Sequence, residues 1–249
     1  MKWYRADLHI HSVLSPCGSL KMSPKNIFEN AKKNKINLLA ITDHNSMKNC
    51  LSYKKVALKY KINFLFGVEI QTAEEIHLIA LFDDNDNAMS FDNLLYESLL
   101  PVKNNPEFFG DQVIIDENEN ILGFEEKALI NSSVWDLETT INNVLNYNGF
   151  CFPAHIDAPT FSIISQLGFI PDNLKIEALG ITKKCNLKKL IDKFPYFKKY
   201  AFIKNSDAHY PNDVGSGYTE FYLNSPSIAE LRMAVKNKNN RKIYNNIGG

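Results

Sequence analysis

The chain has 249 residues, 45% hydrophobic and 22% charged, the balance of a soluble globular protein with material for a sizeable core. Twenty-eight basic side chains offset twenty-eight acidic ones, so a net charge of zero gives no support for a nucleic-acid or membrane partner. Only Arg5, Arg232 and Arg241 supply guanidinium groups, a poor stock of bidentate phosphate clamps, which leaves much of any anion binding to metals.

Lys2 to Ile10 reads as a strand. Ser23-Pro24 looks like a helix start, the serine capping and the proline in the first turn, with the helix running from Lys25 to Asn34. Asn37 to Thr42 is a short, almost continuously apolar strand, Tyr53 to Tyr60 a helix, and Ile62 to Glu69 and Glu75 to Phe82 two further strands. Apolar strands separated by helices of about three turns indicate a parallel sheet covered on its faces. From about 83 to 131 the rhythm breaks into Asp, Asn and Glu with Pro101 and Pro106, and Gln112–Ile115 and Ile121–Phe124 are spaced to pair as a hairpin. This stretch is read as an insertion or lid within a single domain spanning 1–249. Alternation then resumes with a helix at Trp135–Leu145 and strands at Gly149–Ala154 and Leu174–Ile181. A short helix at Leu187–Asp192, a strand at Tyr200–Asn205 and a last helix opened by Ser225-Pro226-Ser227 complete the chain. Lys236 to Lys242 is expected to be a solvated tail.

The four cysteines (Cys17, Cys50, Cys151, Cys185) form no C-x-x-C pair. No secretory leader opens the chain, and no apolar run approaches the roughly 18 residues of a membrane span. A cytoplasmic protein with reduced thiols and no membrane partner is expected.

The histidines carry the chemistry. His9 and His11 close the first strand, His44 the second, His155 a later one, and His209 follows another; Glu69 ends a strand, and only His77 lies inside one, near its start. In a parallel barrel the carboxyl ends of all strands meet at one face, so residues scattered from 9 to 209 converge there. Imidazole and carboxylate together bind Zn, Mn or Fe. A lone strand histidine is more often a packed core residue, but that reading must account for six at once. Asp7 shares the parity of His9 and His11 and is expected deeper in the barrel, accepting hydrogen bonds that fix the histidine tautomers.

Asp7-Leu8-His9-Ile10-His11-Ser12, Thr42-Asp43-His44, Gly67-Val68-Glu69, His155 and Ser206-Asp207-Ala208-His209 resemble, in order, the four motifs of the PHP (polymerase and histidinol phosphatase) family. The resemblance implies a distorted, parallel seven-stranded (β/α)7 barrel of the α/β class, two or three divalent metal ions, and hydrolysis of phosphate esters. It implies that His9, His11, Glu69 and Asp207 hold one ion, and that Glu69 bridges to a second held by His155 and His77. His44 and His209 are then left for a third. Where the family usually completes that third site with His or Asp, this chain has Pro16-Cys17, and Cys17 is either a thiolate ligand or a small residue beside the site.

Two ions bridged by a carboxylate suit attack by a metal-bridging hydroxide, with Asp43, His209 or coordinated water protonating the leaving group. The expected substrate is a phosphate monoester of a small metabolite or nucleotide. Thr160 and Ser162 on the loop after His155, and Lys183 and Lys184 after a strand, are candidate contacts to it. No aromatic-interleaved basic strip is apparent, so a nucleic-acid partner is not expected. A phosphodiesterase or exonuclease, or a non-catalytic metal-binding module, are the alternatives.

Overall fold

A computed structural model describes residues 1–244. Strand β1 (Lys2–Asp7) is followed by helix α1 (Pro24–Lys33), β2 (Leu38–Ile41), α2 (Cys50–Tyr60), β3 (Asn63–Gln71) and β4 (His77–Phe82). Helices α3 (Asn85–Ser98) and α4 (Pro106–Phe109) lead to a hairpin of β5 (Val113–Ile115) and β6 (Ile121–Phe124). The remainder is α5 (Leu137–Asn146), β7 (Phe150–Pro153), α6 (Ile163–Leu167), β8 (Ala178–Ile181), α7 (Leu187–Lys193), β9 (Ala201–Lys204), β10 (Thr219–Leu223), α8 (Ile228–Val235) and β11 (Lys242–Tyr244).

Seven strands form one curled sheet in the order β11-β10-β1-β2-β3-β4-β7. β1, β2 and β3 are parallel. β10 is antiparallel to β1, and β4 is antiparallel to both β3 and β7. The parallel pair β8–β9 stands apart as a sheet, docked through the Ile156 N–H to the Gly180 carbonyl on one side and an Ile10–Ala208 bridge on the other. The fold is α/β with a mixed sheet, which corrects the expectation of an all-parallel barrel. The cause is local. Only Thr72–Ile76 separates β3 from β4, closed by the Thr72 N–H to the Ile76 carbonyl at 2.9 Å, and a parallel connection needs a crossover of a dozen or more residues.

Alternation along the strands sorts side chains into two apolar layers. Leu39 and Ile41 of β2 join Ile27 and Phe28 of α1 and Tyr53 of α2 in one layer. Leu38 and Ala40 join Leu8, Leu65, Ile79, Phe152 and Ile203 in the other, closed by Ile228 and Leu231 of α8. A strand buried on both faces reads as a continuous apolar run, as Asn37–Thr42 does.

Three other expectations change. Ser23 makes no capping hydrogen bond to α1, although Pro24 does open it. The first part of the irregular segment, 85–98, is the regular helix α3, capped by Asp84, whose carboxylate accepts the Asn87 N–H. Within the expected solvated tail, Arg241 instead forms a two-point ion pair with Glu230, and Lys242 begins β11. Among the described residues, no helix is long and apolar enough to cross a membrane.

Candidate metal centre

Glu69, at the carboxyl end of β3, is the hub. Its Oε1 faces His9 Nε2 at 3.2 Å, His77 Nδ1 at 3.0 Å and His155 Nε2 at 3.3 Å. Its Oε2 faces His11 Nε2 at 3.3 Å and His44 Nδ1 at 3.4 Å. Asp207 Oδ1 closes the cup, 3.3 Å from His9 and 3.4 Å from His11, with His209 Nδ1 at 3.6 Å. All six histidines and both carboxylates predicted from the sequence therefore meet. The antiparallel course of β4 explains His77: Gln71 at the end of β3 pairs with His77 at the start of β4, so a strand's beginning lies beside a neighbour's end.

Second partners fix the rings. Ser15 Oγ donates to Asp43 Oδ1 at 2.7 Å and lies 2.9 Å from His11 Nδ1, so that nitrogen carries its proton and Nε2 is left bare. Gln71 Oε1 lies 3.1 Å from His77 Nε2, leaving Nδ1 bare toward Glu69. The Asp207 carbonyl, 3.0 Å from His209 Nδ1, does the same for His209 Nε2. His155, Asp207 and Phe161 all have positive φ (29°, 52° and 54°), a conformation that costs free energy and is held here by the surrounding fold.

The charges are strongly displaced. Burial works to raise the Glu69 carboxyl, but His77, His9, His11 and His155 outweigh it and hold it well below the usual range. Asp207 is likewise lowered, His9 and His11 outweighing burial. Burial, reinforced by His11, pushes His209 down to about 4. Glu69 Oε1, His44 Nδ1, His77 Nδ1 and His155 Nδ1 are buried without any hydrogen-bond partner. Glu69 Oε1 and His77 Nδ1 face each other 3.0 Å apart, and a divalent cation between the two donor atoms would satisfy both. The residues fit divalent ions. Ligand atoms of His9, His11 and Glu69, of His44, Glu69 and His77, and of His11, Cys17, His44 and His209 each lie within 4.8 Å of one another.

Above the cup is an open cleft of about 210 Å³ whose walls include Thr160, Phe161, Thr182 and Ala158, with no lysine or arginine and nothing from 83–131. Thr160 is thus where the sequence placed it. Ser162 is not: it is buried and caps α6, accepting the Ser165 N–H. Lys183 and Lys184 do not line the cleft, and Lys183 is tied to Asp213 at 2.9 Å and to Ser216. Asp43 is buried, and its oxygens accept from the Ser12 N–H, the Ser12 hydroxyl and Ser15. Asp7 does not touch the histidine rings as expected. It accepts the Ser206 N–H at 3.0 Å and the Gly215 N–H at 2.8 Å, fastening the loop that carries Asp207 and His209. Ser15, Gln71 and Thr182 were not singled out in the sequence. Ser15 four residues after His11 and Gln71 two after Glu69 were the available signals.

A family model described as PHP domain matches residues 7–163, and one described as PHP-associated matches 198–240. The chain belongs to the PHP family. It is 31% identical over 119 residues to the uncharacterised protein YqxK of Bacillus subtilis, covering 45% of this chain and 30% of that protein. It is 38% identical over 90 residues to the uncharacterised protein MJ1587 of Methanocaldococcus jannaschii, covering 33% and 52%. The chain thus spans about half or less of the curated relatives it matches. In fold it is similar to the lesion-specific endonuclease EndoQ of Pyrococcus furiosus (TM-score 0.71, 20% identity, 97% of this chain and 58% of that one). It is also similar to a putative metal-dependent phosphoesterase of Bifidobacterium adolescentis (TM-score 0.53, 17% identity, 83% and 88%).

Proposed function

We propose that this PHP protein is a metal-dependent phosphodiesterase that cuts a nucleic-acid strand at its metal centre. The observation that carries the reading is a run of lysines that follows the cleft-wall residue Thr182 in the chain. Residues 83–131 hold twelve acidic side chains and two lysines, so the rest of the chain carries sixteen acidic and twenty-six basic ones, a surplus the whole-chain balance hides. Seven lysines and one acid fall between 183 and 199, interleaved with the half-buried Phe194 and the exposed Tyr196, directly after Thr182 in the cleft wall. A basic strip with exposed aromatic rings is what a phosphate backbone and its bases require. Tyr210, next to His209, is 61% exposed and available to stack on a base, whereas the Phe161 ring in the cleft wall already stacks on His77, 4.8 Å between centroids.

The similarity to EndoQ, one structure of which holds a 27-mer duplex with an abasic lesion, points the same way. The expectation of a small monoester substrate keeps one supporting observation. A 210 Å³ cleft is below the ~300–1,000 Å³ of usual ligand pockets, so it takes little more than the phosphate and its sugar.

His9, His11, Glu69 and Asp207 would hold one ion and Glu69, His77 and His155 a second. Such ions supply Lewis-acid polarisation of the phosphate and acidify coordinated water. The chain's own groups orient and shield. Asp43 acts through Ser15 to hold His11 in one tautomer, rather than as a proton donor in the cleft. Thr160 offers a hydrogen bond to a phosphate oxygen. Thr182, its hydroxyl donating to Asp157 at 2.6 Å, stiffens the wall. His209, held neutral at pH 7 with its Nδ1 proton on the Asp207 carbonyl, has no proton to give the departing group and turns a bare Nε2 to the site instead.

The test offers end-labelled single strand, intact duplex and abasic-site duplex beside a panel of phosphate monoesters, with Mn, Zn, Fe or Mg. Metal-dependent strand scission that disappears in Asp207→Asn is expected. Turnover confined to monoesters would overturn the reading.

A further inference from the structure

The irregular segment brings acidic and exposed apolar surface together. Seven acidic side chains and no lysine or arginine fall between 107 and 126. On the β5–β6 hairpin of that stretch Ile121, Leu122 and Phe124 are each more than half exposed. Leu20, on the loop that leaves the histidine cup, is 60% exposed and shares a cleft with Ile121 and Phe124. Apolar residues scattered singly over a surface need no explanation, but a contiguous group rimmed by charge marks a place where another molecule sits.

That cleft, of about 450 Å³, has the buried Val13, Val113 and Ile115 as its floor and Leu20, Ile121 and Phe124 as its walls. Beyond Phe124 a second cleft of about 450 Å³ is lined by Asp111, Glu125 and Glu126, with Lys103. Phe124 and Asp111 belong to both clefts. The walls are fastened to the rest of the fold. Val113 N–H donates to the Val13 carbonyl at 3.0 Å, the Ser52 hydroxyl to the Ile115 carbonyl at 2.7 Å, and Lys25 N–H to Glu119 at 2.9 Å. Gly110, at φ 100°, lets the chain cross close over Pro16: a Cβ there would lie 2.6 Å from the Pro16 carbonyl oxygen. An occupant therefore meets a preformed groove and does not bear the cost of ordering it.

We propose that the two clefts dock a protein segment that offers a large apolar side chain and, close to it, an arginine or lysine. The apolar side chain fills the space between Leu20 and Phe124, and the cation lies beyond Phe124 against Asp111 and Glu126. Charge selects this occupant. Glu117 and Glu125 are answered by Lys55 and Lys48, but Asp111, Glu119 and Glu126 are in no ion pair among the described residues. They stand with Glu107 in a stretch that holds no base of its own. A phosphate backbone would be repelled here, and a second copy seated through the same face would set these acids against themselves. The chain's own basic stretch does not fit either, because 187–199 is taken up by α7 and a 3-10 turn at Pro195–Lys199. Nothing from 83–131 lines the metal cleft, so a docked segment and a substrate are held at the same time. The groove places its partner on the outer side of the loop that follows His11, whichever phosphate ester is cut.

The experiment titrates fluorescein-labelled peptides of Gly and Ser, carrying Phe-Arg pairs at varied separations, into the whole chain. Matched sets replace each Arg by Glu or each Phe by Ser. The best Phe-Arg peptide is expected to bind at least about tenfold more tightly than its Glu and Ser counterparts, and to weaken as salt is raised. Phe124→Ser and Asp111→Lys, both at exposed positions, should each weaken it about tenfold, with metal content and urea unfolding unchanged. Amide shifts on binding should centre on Leu20 and Ile121–Phe124, and saturating peptide should leave the affinity for a labelled DNA strand unchanged. Equal binding of the three peptide sets, no binding by any, or displacement of the peptide by the strand would overturn the proposal. So would self-association in sedimentation that Phe124→Ser abolishes, which would give the face to a second copy. The comparison among peptides is read on the unaltered chain, so misfolding of a variant cannot mask the answer. No readout involves hydrolysis, so the docking site and the proposed reaction stand or fall separately.

Discussion

Two buried polar clusters lie close together in this PHP chain and are finished in opposite ways. At the junction with the irregular segment, Glu125 is ion-paired to Lys48 and accepts the Tyr96 hydroxyl and the Lys127 N–H, each at 2.8 Å. Gln112 donates to the Glu125 and Lys127 carbonyls and accepts the Leu129 N–H. Asn45 and Asn49 bridge backbone groups on both sides in the same manner. In the histidine cup, Glu69 Oε1 and three imidazole nitrogens have no partner. Native interiors leave few such groups, because each costs on the order of 1–3 kcal/mol. The junction is completed by protein alone, whereas the cup is complementary to cations the chain does not itself provide.

The largest effect should follow from removing the hub. Glu69→Gln is expected to lower metal-dependent hydrolysis by about a thousandfold or more, about 4 kcal/mol of barrier, and to lose bound metal in elemental analysis. The paired change at the junction, Glu125→Gln, should cost stability of about 1–3 kcal/mol in denaturant unfolding and leave metal content unchanged. Equal metal loss in both variants would erase the contrast. Gln71→Leu comes next, because Gln71 joins the two clusters: its amide donates to Ser132 at 3.0 Å and its oxygen faces His77. Losing that orientation should weaken metal affinity by about 10–100-fold, measured by competition with a chelating dye.

How much of this was legible in the sequence follows from the range of the interactions. The eight candidate ligands could be read because each sits in a short local pattern at the tip of a strand, and the curled sheet brings those tips together. The antiparallel course of β4 was legible too, in the five residues between β3 and β4, but the expectation of alternating β/α units overrode it. Asp7 could not be read correctly. Its parity suggested contact with His9, while its actual partners, Ser206 and Gly215, are about 200 residues away and owe their places to the folding back of β9 and β10. Helix α3 was missed because Asp and Asn dominate its first turn, which suits a capped helix start as well as a loop. The basic strip at 183–199 was hidden by adding the whole chain's charge instead of its parts.

That strip gives the third contrast, of about tenfold. Lys188→Glu with Lys189→Glu, two exposed positions on α7, should weaken DNA binding about tenfold at low salt and flatten its salt dependence. Reversing Glu117 and Glu119 in the acidic segment should not weaken it. Identical losses from both pairs, in fluorescence anisotropy at two salt concentrations, would remove the basis for a strand on the α7 side.

The smallest effect tests whether the junction is free of strain. Asp92 is buried on α3 and accepts the Met47 N–H at 2.7 Å. Burial raises its carboxyl from 3.8 to about 6, more than the Met47 hydrogen bond and Lys48 lower it. The folded protein therefore holds that proton more tightly than the unfolded chain does. The resulting stability is fully present below pH 4, is lost as pH rises through about 6, and is absent at neutral pH. Asn at this position keeps the acceptor for Met47 and carries no charge. Asp92→Asn is expected to stabilise the protein by about 1 kcal/mol at pH 7.5, with the gain fading as the pH falls below 4. Urea unfolding at both pH values measures it, with metal supplied equally so that the cup does not contribute. A loss of stability at pH 7.5 would mean that the Asp92 charge is held by the Lys48 side of the junction, and that this cluster depends on ion pairing rather than on hydrogen bonds alone.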